Sequence, residues 1–428
     1  MTKTINVSAL ARVEGEGGLY IGVKDGKAHE IKVNIYEPPR FFEGFLQGRY
    51  LQDVPDITAR ICGICPVAYQ MSSVRALEKA LKIETSAQTR DLRSLLYCGE
   101  WIESHVLHIY MLQGPDLTGH ESAISLAEVA PETVAIALRL KKIGNSILKA
   151  IGGRSVHPVN ACVGGFYKWP EIEKLQKLLP DLEWGLEQAL ETVRWSMTLP
   201  YPDFDVDYEY VALTHPDEYA ILEGDILSSK IGKISEDDFE KYYLEKHVEH
   251  SNAIHSHGTD GQPYFVGPLA RFNLNYEQLG DTAKQIAAEV GVEHPINNPY
   301  KGLIARAVET VEAFDRAIRL IKEYNPNQPS AIELKLTSGE GAAGTEAPRG
   351  MLYHRYKIDD YGMIQEAKIM PPTAQNLARM EADLWQLAPT VLALEHDEAT
   401  LTCEHLLRSY DPCISCATHF LKLEIKDI

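Results

Sequence analysis

Two Cys-x-x-Cys pairs lie near opposite ends of the chain, Cys62-Gly63-Ile64-Cys65 and Cys413-Ile414-Ser415-Cys416. A fold that uses all four sulfurs at one site must bring residue 65 beside residue 413, so the whole chain closes around that point. The two-residue spacer lets both sulfurs of a pair face one ion. Gly63 suits the tight turn between the first two sulfurs, and Pro66 suits the first turn of a following helix. Four soft thiolates fit Zn2+, an iron–sulfur cluster, or Ni and Fe. A structural zinc site is the ordinary reading of bare paired Cys-x-x-Cys motifs. Zinc ribbons and fingers close local loops, however, whereas these pairs would tie the chain end to end. Thioredoxin-type chemistry expects a βαβ unit that neither pair follows. Covalent haem attachment needs a His directly after the second Cys, where this chain has Pro66 and Ala417. The remaining thiols, Cys98, Cys162 and Cys403, read as buried packing residues, and an odd total of seven does not suggest a disulfide framework.

Periodicity between the pairs is mainly helical. Leu92, Leu95, Leu96, Ile102, Val106 and Ile109 predict a helix within 85–113, and further helices are predicted over 132–151, 302–324 and 374–394, the last broken at Pro389. Before residue 40 the pattern alternates instead. Leu19–Val23 and His29–Ile35 flank Asp25-Gly26, a hairpin turn signal. The expected architecture is α+β and mainly α: a long-helix bundle core with a small N-terminal β-sheet and a peripheral mixed lobe. One body of 428 residues is expected, with lobes at 1–60, 61–200, 201–300 and 301–419 and a tail at 420–428. The 42 basic and 61 acidic residues give a formal charge of −19, which argues against a nucleic-acid or anionic-membrane surface, since both need clustered Lys and Arg. No run of about 18 apolar residues predicts a membrane span, and the N-terminal stretch lacks the apolar core of a secretory signal. The expected location is cytoplasmic.

The residues around the cysteines narrow the choice of metal. Arg60-Ile61-Cys62-Gly63-Ile64-Cys65-Pro66 and Asp411-Pro412-Cys413-Ile414-Ser415-Cys416-Ala417-Thr418-His419 closely resemble the two signatures of [NiFe] hydrogenase large subunits. Ala11-Arg12-Val13-Glu14-Gly15, Pro39-Arg40-Phe41-Phe42-Glu43-Gly44, Glu346-Ala347-Pro348-Arg349-Gly350, and Pro371-Pro372-Thr373 with Asn376 resemble further segments of that family in the same order. Within it, the short chain, the Arg-Phe-Phe-Glu segment and the stretch from Glu249-His250-Ser251 to His255-Ser256-His257 are most similar to the soluble NAD(P)-linked hydrogenases, including the sulfhydrogenase type.

The resemblance implies a Ni–Fe centre, with Fe carrying CO and two cyanides. Cys62 and Cys413 would be terminal ligands of Ni, and Cys65 and Cys416 would bridge Ni to Fe. It implies reversible heterolytic cleavage of H2, in which the Cys413 sulfur takes the proton and passes it to Glu14. Arg349 would lie over the diatomic ligands, with Pro348 shaping the pocket, Thr373 hydrogen-bonding a cyanide, and Asp411 and Asp116 fixing the arginine. Glu43, His419 and a main-chain carbonyl near Ile369 would hold Mg2+. The paired His105 and His108, and likewise His250, His255 and His257, read as satisfied core histidines.

The implied partners are a small subunit carrying iron–sulfur clusters, since this chain offers no further Cys cluster, flavin and NAD(P)-binding subunits of the diaphorase type, and an endopeptidase that removes residues 420–428 after Ni insertion. Gly339-Glu340-Gly341-Ala342-Ala343-Gly344 fits G-x-G-x-x-G, with Leu334–Thr337 as a possible preceding strand. Pro348 follows at once and no helix is predicted there to receive a pyrophosphate, so the segment reads as a loop delivering Arg349 to the metal. Two other readings stand beside the enzyme. One is a zinc-stapled helical scaffold. The other is a non-catalytic relative such as the quinone-site subunit of respiratory complex I, which lacks the Cys pairs that this chain keeps.

Overall fold

A computed structural model describes residues 4–37 and 40–418. The N-terminal sheet is three-stranded and antiparallel, built from Thr4–Val7, Gly17–Lys24 and Lys27–Ile35 in that order. Asp25 (φ 52°) and Gly26 (φ 74°) both adopt the left-handed conformation of a two-residue hairpin turn. Ile21 faces Ile31 and Leu19 faces Val33 across the register, and all four are buried.

The helical core centres on Ala87–Leu107, which packs against Pro131–Gly152 and Gly302–Glu323. Gly99 and Gly144 mark the first crossing. A Cβ on Gly144 would sit 2.5 Å from the Gly99 carbonyl oxygen, so the two backbones approach as closely as they do only because both residues lack side chains. Ser86 caps the central helix by accepting the Thr89 N–H. The expected continuation to Gln113 is present in altered form: His108–Gln113 is a π-helical turn that widens the chain before Gly114. The 372–391 helix runs through Pro389 rather than breaking there. This proline lies in the last turn, and the carbonyl it cannot satisfy belongs to the partly exposed Trp385.

A second antiparallel sheet runs Gly339–Ala347, Gly350–Ile358 and Ile364–Met370. The glycine-rich segment is therefore a strand of this sheet and not a loop, and Leu334–Thr337 is not a strand. The glycines serve helix–strand packing. A Cβ on Gly339 would lie 2.2 Å from the Ala80 carbonyl oxygen and one on Gly341 would lie 2.3 Å from that of Ala76, both on the Pro66–Leu81 helix. Residues 201–300 contribute short strands, among them Val211–Thr214, Tyr243–His247 and Ile254–Gly258. Val211, Leu213, Tyr243 and Tyr264 form one apolar cluster with Met351, Tyr353 and Met370 of the second sheet. Among the described residues no helix is long and apolar enough to cross a membrane.

Candidate metal centre

The first cysteine pair sits between a short turn, Ala59–Ile61, and the Pro66–Leu81 helix, which Pro66 opens as expected. The Ile64 and Cys65 N–H groups both donate to Cys62 Sγ at 3.3 Å. Gly63 is not required by this turn: its φ is not left-handed and an added Cβ would meet nothing within 4 Å. The helix start is instead fixed from below, where the buried Glu100 carboxylate accepts the Val67 (2.6 Å) and Ala68 (3.1 Å) N–H groups. Glu100 falls on the apolar stripe of its own helix, and a carboxylate on that face was the sequence signal for such a role.

The second pair follows the His396–Ser409 helix, on a segment anchored from four directions. Glu14 and Cys413 form an isolated parallel bridge, in which the Ile414 N–H donates to the Glu14 carbonyl oxygen at 2.9 Å. Thr373 Oγ1 accepts the Cys413 N–H at 2.9 Å. Arg40 donates to the Ile61 carbonyl at 2.7 Å and also to the Ser415 carbonyl, so one guanidinium clamps both cysteine segments together. Arg349 pairs with Asp411 at 3.0 Å, both 3% exposed.

The four sulfurs come together. Cys413 Sγ lies 3.5 Å from Cys62 Sγ and 2.7 Å from Cys416 Sγ, and one ligand atom from each of the four residues lies within 4.8 Å of every other. All four residues are buried. Burial pushes the Cys413 thiol up, while hydrogen bonds from Cys413 and Cys416 hold Cys62 down, so the cluster shares its protons unequally. Glu14 reaches the same sulfurs: its Oε2 accepts from Cys413 Sγ (3.1 Å) and the Ser415 N–H (3.1 Å), and its Oε1 accepts from the Ser415 hydroxyl at 2.5 Å.

Arg349 carries the observation most informative about what else the site holds. Its Nε and one terminal nitrogen are buried without a hydrogen-bond partner. Burial opposes its charge, but Asp411 and the sulfurs of Cys413, Cys65 and Cys62 more than offset this and keep the guanidinium charged. Buried, unspent N–H donors beside four thiolates fit small acceptor ligands on a metal.

Asp116 is not placed as expected. It does not contact Arg349 but binds Arg408 (2.7 and 3.0 Å), His405 (3.1 Å) and Arg12. The cause is local. The Arg12 backbone is left-handed (φ 56°) and its guanidinium also donates to the Leu112 carbonyl, which draws the 11–15 segment onto the π-helical turn and Asp116. Glu43 is buried and its Oε1 accepts the Ile369 N–H at 2.8 Å, so these two members of the expected Mg2+ set adjoin, whereas His419 lies outside the described residues, as does Pro39. Pro348 is buried beside Arg349, and its carbonyl accepts from Arg271 at 2.9 Å. His105 Nε2 lies 2.9 Å from a Glu309 oxygen without forming a well-aligned hydrogen bond, and His108 Nε2 bonds the Arg408 carbonyl at 2.8 Å while its Nδ1 has no partner, so both are core histidines but neither is fully satisfied. Cys98, Cys162 and Cys403 are buried as expected. Sequence reasoning missed the positioning residues Glu100, Arg40, Ser415 and Arg271.

The nickel-dependent hydrogenase family matches residues 40–145 and 235–419, which include all four cysteines. The chain belongs to the nickel-dependent hydrogenases. It is of the large, catalytic subunit type, which oxidises or produces H2. This hydrogenase chain is 34% identical over 424 residues to the sulfhydrogenase 1 subunit alpha of Pyrococcus furiosus, covering 98% of each chain. It is also 34% identical over 430 residues to the sulfhydrogenase 2 subunit alpha of the same organism, covering 98% of this chain and 100% of the relative. Its fold matches a crystal structure of an NAD+-reducing [NiFe]-hydrogenase with a TM-score of 0.88 at 22% identity, covering 97% of this chain and 99% of that one.

Proposed function

We propose that this hydrogenase splits and re-forms H2 heterolytically at a Ni–Fe centre held by Cys62, Cys65, Cys413 and Cys416. The convergence of the four sulfurs with the Glu14 carboxylate, 3.1 Å from Cys413 Sγ, carries this reading. The bound centre would supply the Lewis acid and hydride acceptor that H2 cleavage needs. The protein's part is to hold and move the proton. Cys413, as a terminal ligand, receives it at sulfur, and Glu14 Oε2 takes it over one hydrogen bond. The Ser415 N–H and hydroxyl keep the carboxylate aimed at that sulfur. Cys62, Cys65 and Cys416 would hold the centre together with Cys413, and Cys65 and Cys416 would take the roles that the family resemblance gives the second cysteine of each pair. The unspent donors of Arg349 and the hydroxyl hydrogen of Thr373, whose oxygen is already occupied by the Cys413 N–H, suit CO and cyanide ligands on Fe. Asp411 positions Arg349, and Pro348 lines the same pocket.

A Mg2+ ion held by Glu43, the Ile369 carbonyl and His419 is proposed as a second ion, supported by the adjacency of Glu43 and Ile369. Among the described residues the only grouped cysteines are the four at the site, so electrons would leave through a partner small subunit with iron–sulfur clusters. The names of the relatives favour NAD(P) or sulfur as the final acceptor, reached through diaphorase-type subunits in a cytoplasmic complex. Removal of residues 420–428 by an endopeptidase would complete maturation.

The test is infrared spectroscopy and metal analysis of the purified complex. Ni and Fe in equal amounts at the large subunit, with CO and cyanide stretching bands that respond to H2, are expected. Zinc at the four cysteines without such bands would refute the reading and favour the zinc-stapled scaffold.

A further inference from the structure

The stretch from His250 to His257 is not used by the Ni–Fe chemistry, yet it builds a second group of ligand-type side chains. His250, in the turn after the Tyr243–His247 strand, His255, on the Ile254–Gly258 strand, and Glu381, on the 372–391 helix, place one ligand atom each within 4.8 Å of one another. His250 Nε2 lies 2.7 Å from Glu381 Oε1, and His255 Nδ1 lies 3.8 Å from Glu381 Oε2. Two ligands of one tetrahedral ion at about 2.0–2.2 Å stand roughly 3.3–3.6 Å apart, so these separations bracket the required range.

Two further features separate this group from a chance surface cluster. The carboxylate is pre-oriented, because Glu381 Oε1 also accepts the Val33 N–H at 2.9 Å. The His255 side chain is 1% exposed and its Nδ1 stands 3.8 Å from Glu381 Oε2, too long for a hydrogen bond, a gap that an ion between them would close. The His250 and Glu381 side chains remain 19% and 18% exposed, which leaves a route for an ion and room for a water as fourth ligand.

We propose that His250, His255 and Glu381 bind a divalent transition-metal ion, with Zn2+ as its occupant, at a site separate from the four cysteines. Two imidazoles and one carboxylate form a donor set suited to Zn2+. The ion would pin the N-terminal sheet, through Val33, and the Ile254–Gly258 strand to the helix that also carries Thr373. Glu381 follows Thr373 by two helical turns, about 12 Å along the axis. The site therefore braces the helix that holds the Cys413 backbone without joining the catalytic pocket.

The experiment uses the purified hydrogenase complex, with His250→Gln and Glu381→Gln made in the large subunit. His250 is partly exposed on a turn, and Gln at 381 keeps an acceptor for Val33, so both variants should fold with unchanged Ni content. After mild chelation and Zn2+ titration, the unaltered complex should take up one more Zn2+ per large subunit than either variant, or bind it at least about tenfold more tightly. Co2+ added in place of Zn2+ should give tetrahedral ligand-field bands that the variants lack. Equal Zn2+ uptake in all three proteins, or no Co2+ bands in the unaltered complex, overturns the site. Ni content and the CO and cyanide bands report on the cysteine site separately.

Discussion

Glu14 reaches the Cys413 sulfur because its own main chain is bridged to that residue, so the carboxylate has little freedom to leave. Glu14→Gln keeps the shape and the ability to accept from Ser415 but removes a proton acceptor. H2 uptake should fall by about 10²–10⁴-fold with Ni and Fe content unchanged, whereas activity within tenfold of the unaltered enzyme would remove Glu14 from the proton route. Asp116 shows a different use of a carboxylate. Burial works against its charge, but hydrogen bonds from His405 and Arg408 outweigh it and hold its pKa down to about 2. The unfolded value is about 3.9, so the stabilisation is fully present above about pH 4 and is lost as pH falls toward 2. Its size is about 2 kcal/mol. In urea unfolding, the stability difference between the unaltered chain and Asp116→Asn should shrink by about that amount between these pH values. A difference that stays constant would show that Asp116 is not titrating against Arg408 and His405.

Arg271, on the Pro268–Asn275 helix, shows how elements meet behind the metal site. It binds both oxygens of Glu309 at 2.8 Å and Glu346 at 2.9 Å, and it donates to the carbonyls of Ala347 and Pro348 at 2.7 and 2.9 Å. One guanidinium thus fixes the turn that carries Arg349 to the Gly302–Glu323 helix. Arg271→Met would strip the buried Glu309 and Glu346 carboxylates of their shared cation, leaving Glu309 only Tyr219 and His105 and Glu346 only the Leu213 N–H, and should cost about 3–5 kcal/mol, measured by urea unfolding, with loss of H2 uptake. Arg271→Lys keeps the charge but not the fork and should fall between. Equal stability of all three proteins would contradict the assignment. The sequence exposed the long helices because an apolar face repeats along each of them regardless of partner. It did not expose the Gly339–Ala347 strand, whose glycines and alanines make sense only once the Pro66–Leu81 helix lies against them. Likewise, ligand chemistry made the four cysteines legible, whereas Asp116 could be placed only by knowing that Arg12 and Arg408 converge on it from opposite ends of the chain.

At the scale of the whole molecule, the question is whether the metal holds the chain together or the chain holds the metal. Cys62 and Cys413 are 351 residues apart, and a zinc staple across that separation would be a principal tie between the two ends. The structure has other ties. The ends meet through the Glu14–Ile414 main-chain bond, the Arg40 clamp, Thr373 on the Cys413 N–H, the Arg349–Asp411 pair and the Arg12–Asp116–Arg408 cluster. Most of these are buried, and breaking a buried charged pair costs about 3–5 kcal/mol. The apolar core also runs continuously from the N-terminal sheet through the helices to Ile414 and Ala417. Cys65→Ser, which removes one ligand and with it the stable Ni–Fe centre, should therefore leave the far-ultraviolet circular dichroism unchanged and lower the thermal midpoint by only a few degrees. The cost should be local, with faster protease cleavage between Asp411 and Thr418 and no H2 uptake. A chain that loses its helical signal on the same substitution would make the metal a folding staple, and the catalytic reading would then have to explain why so many independent contacts at the closure point are not sufficient without it.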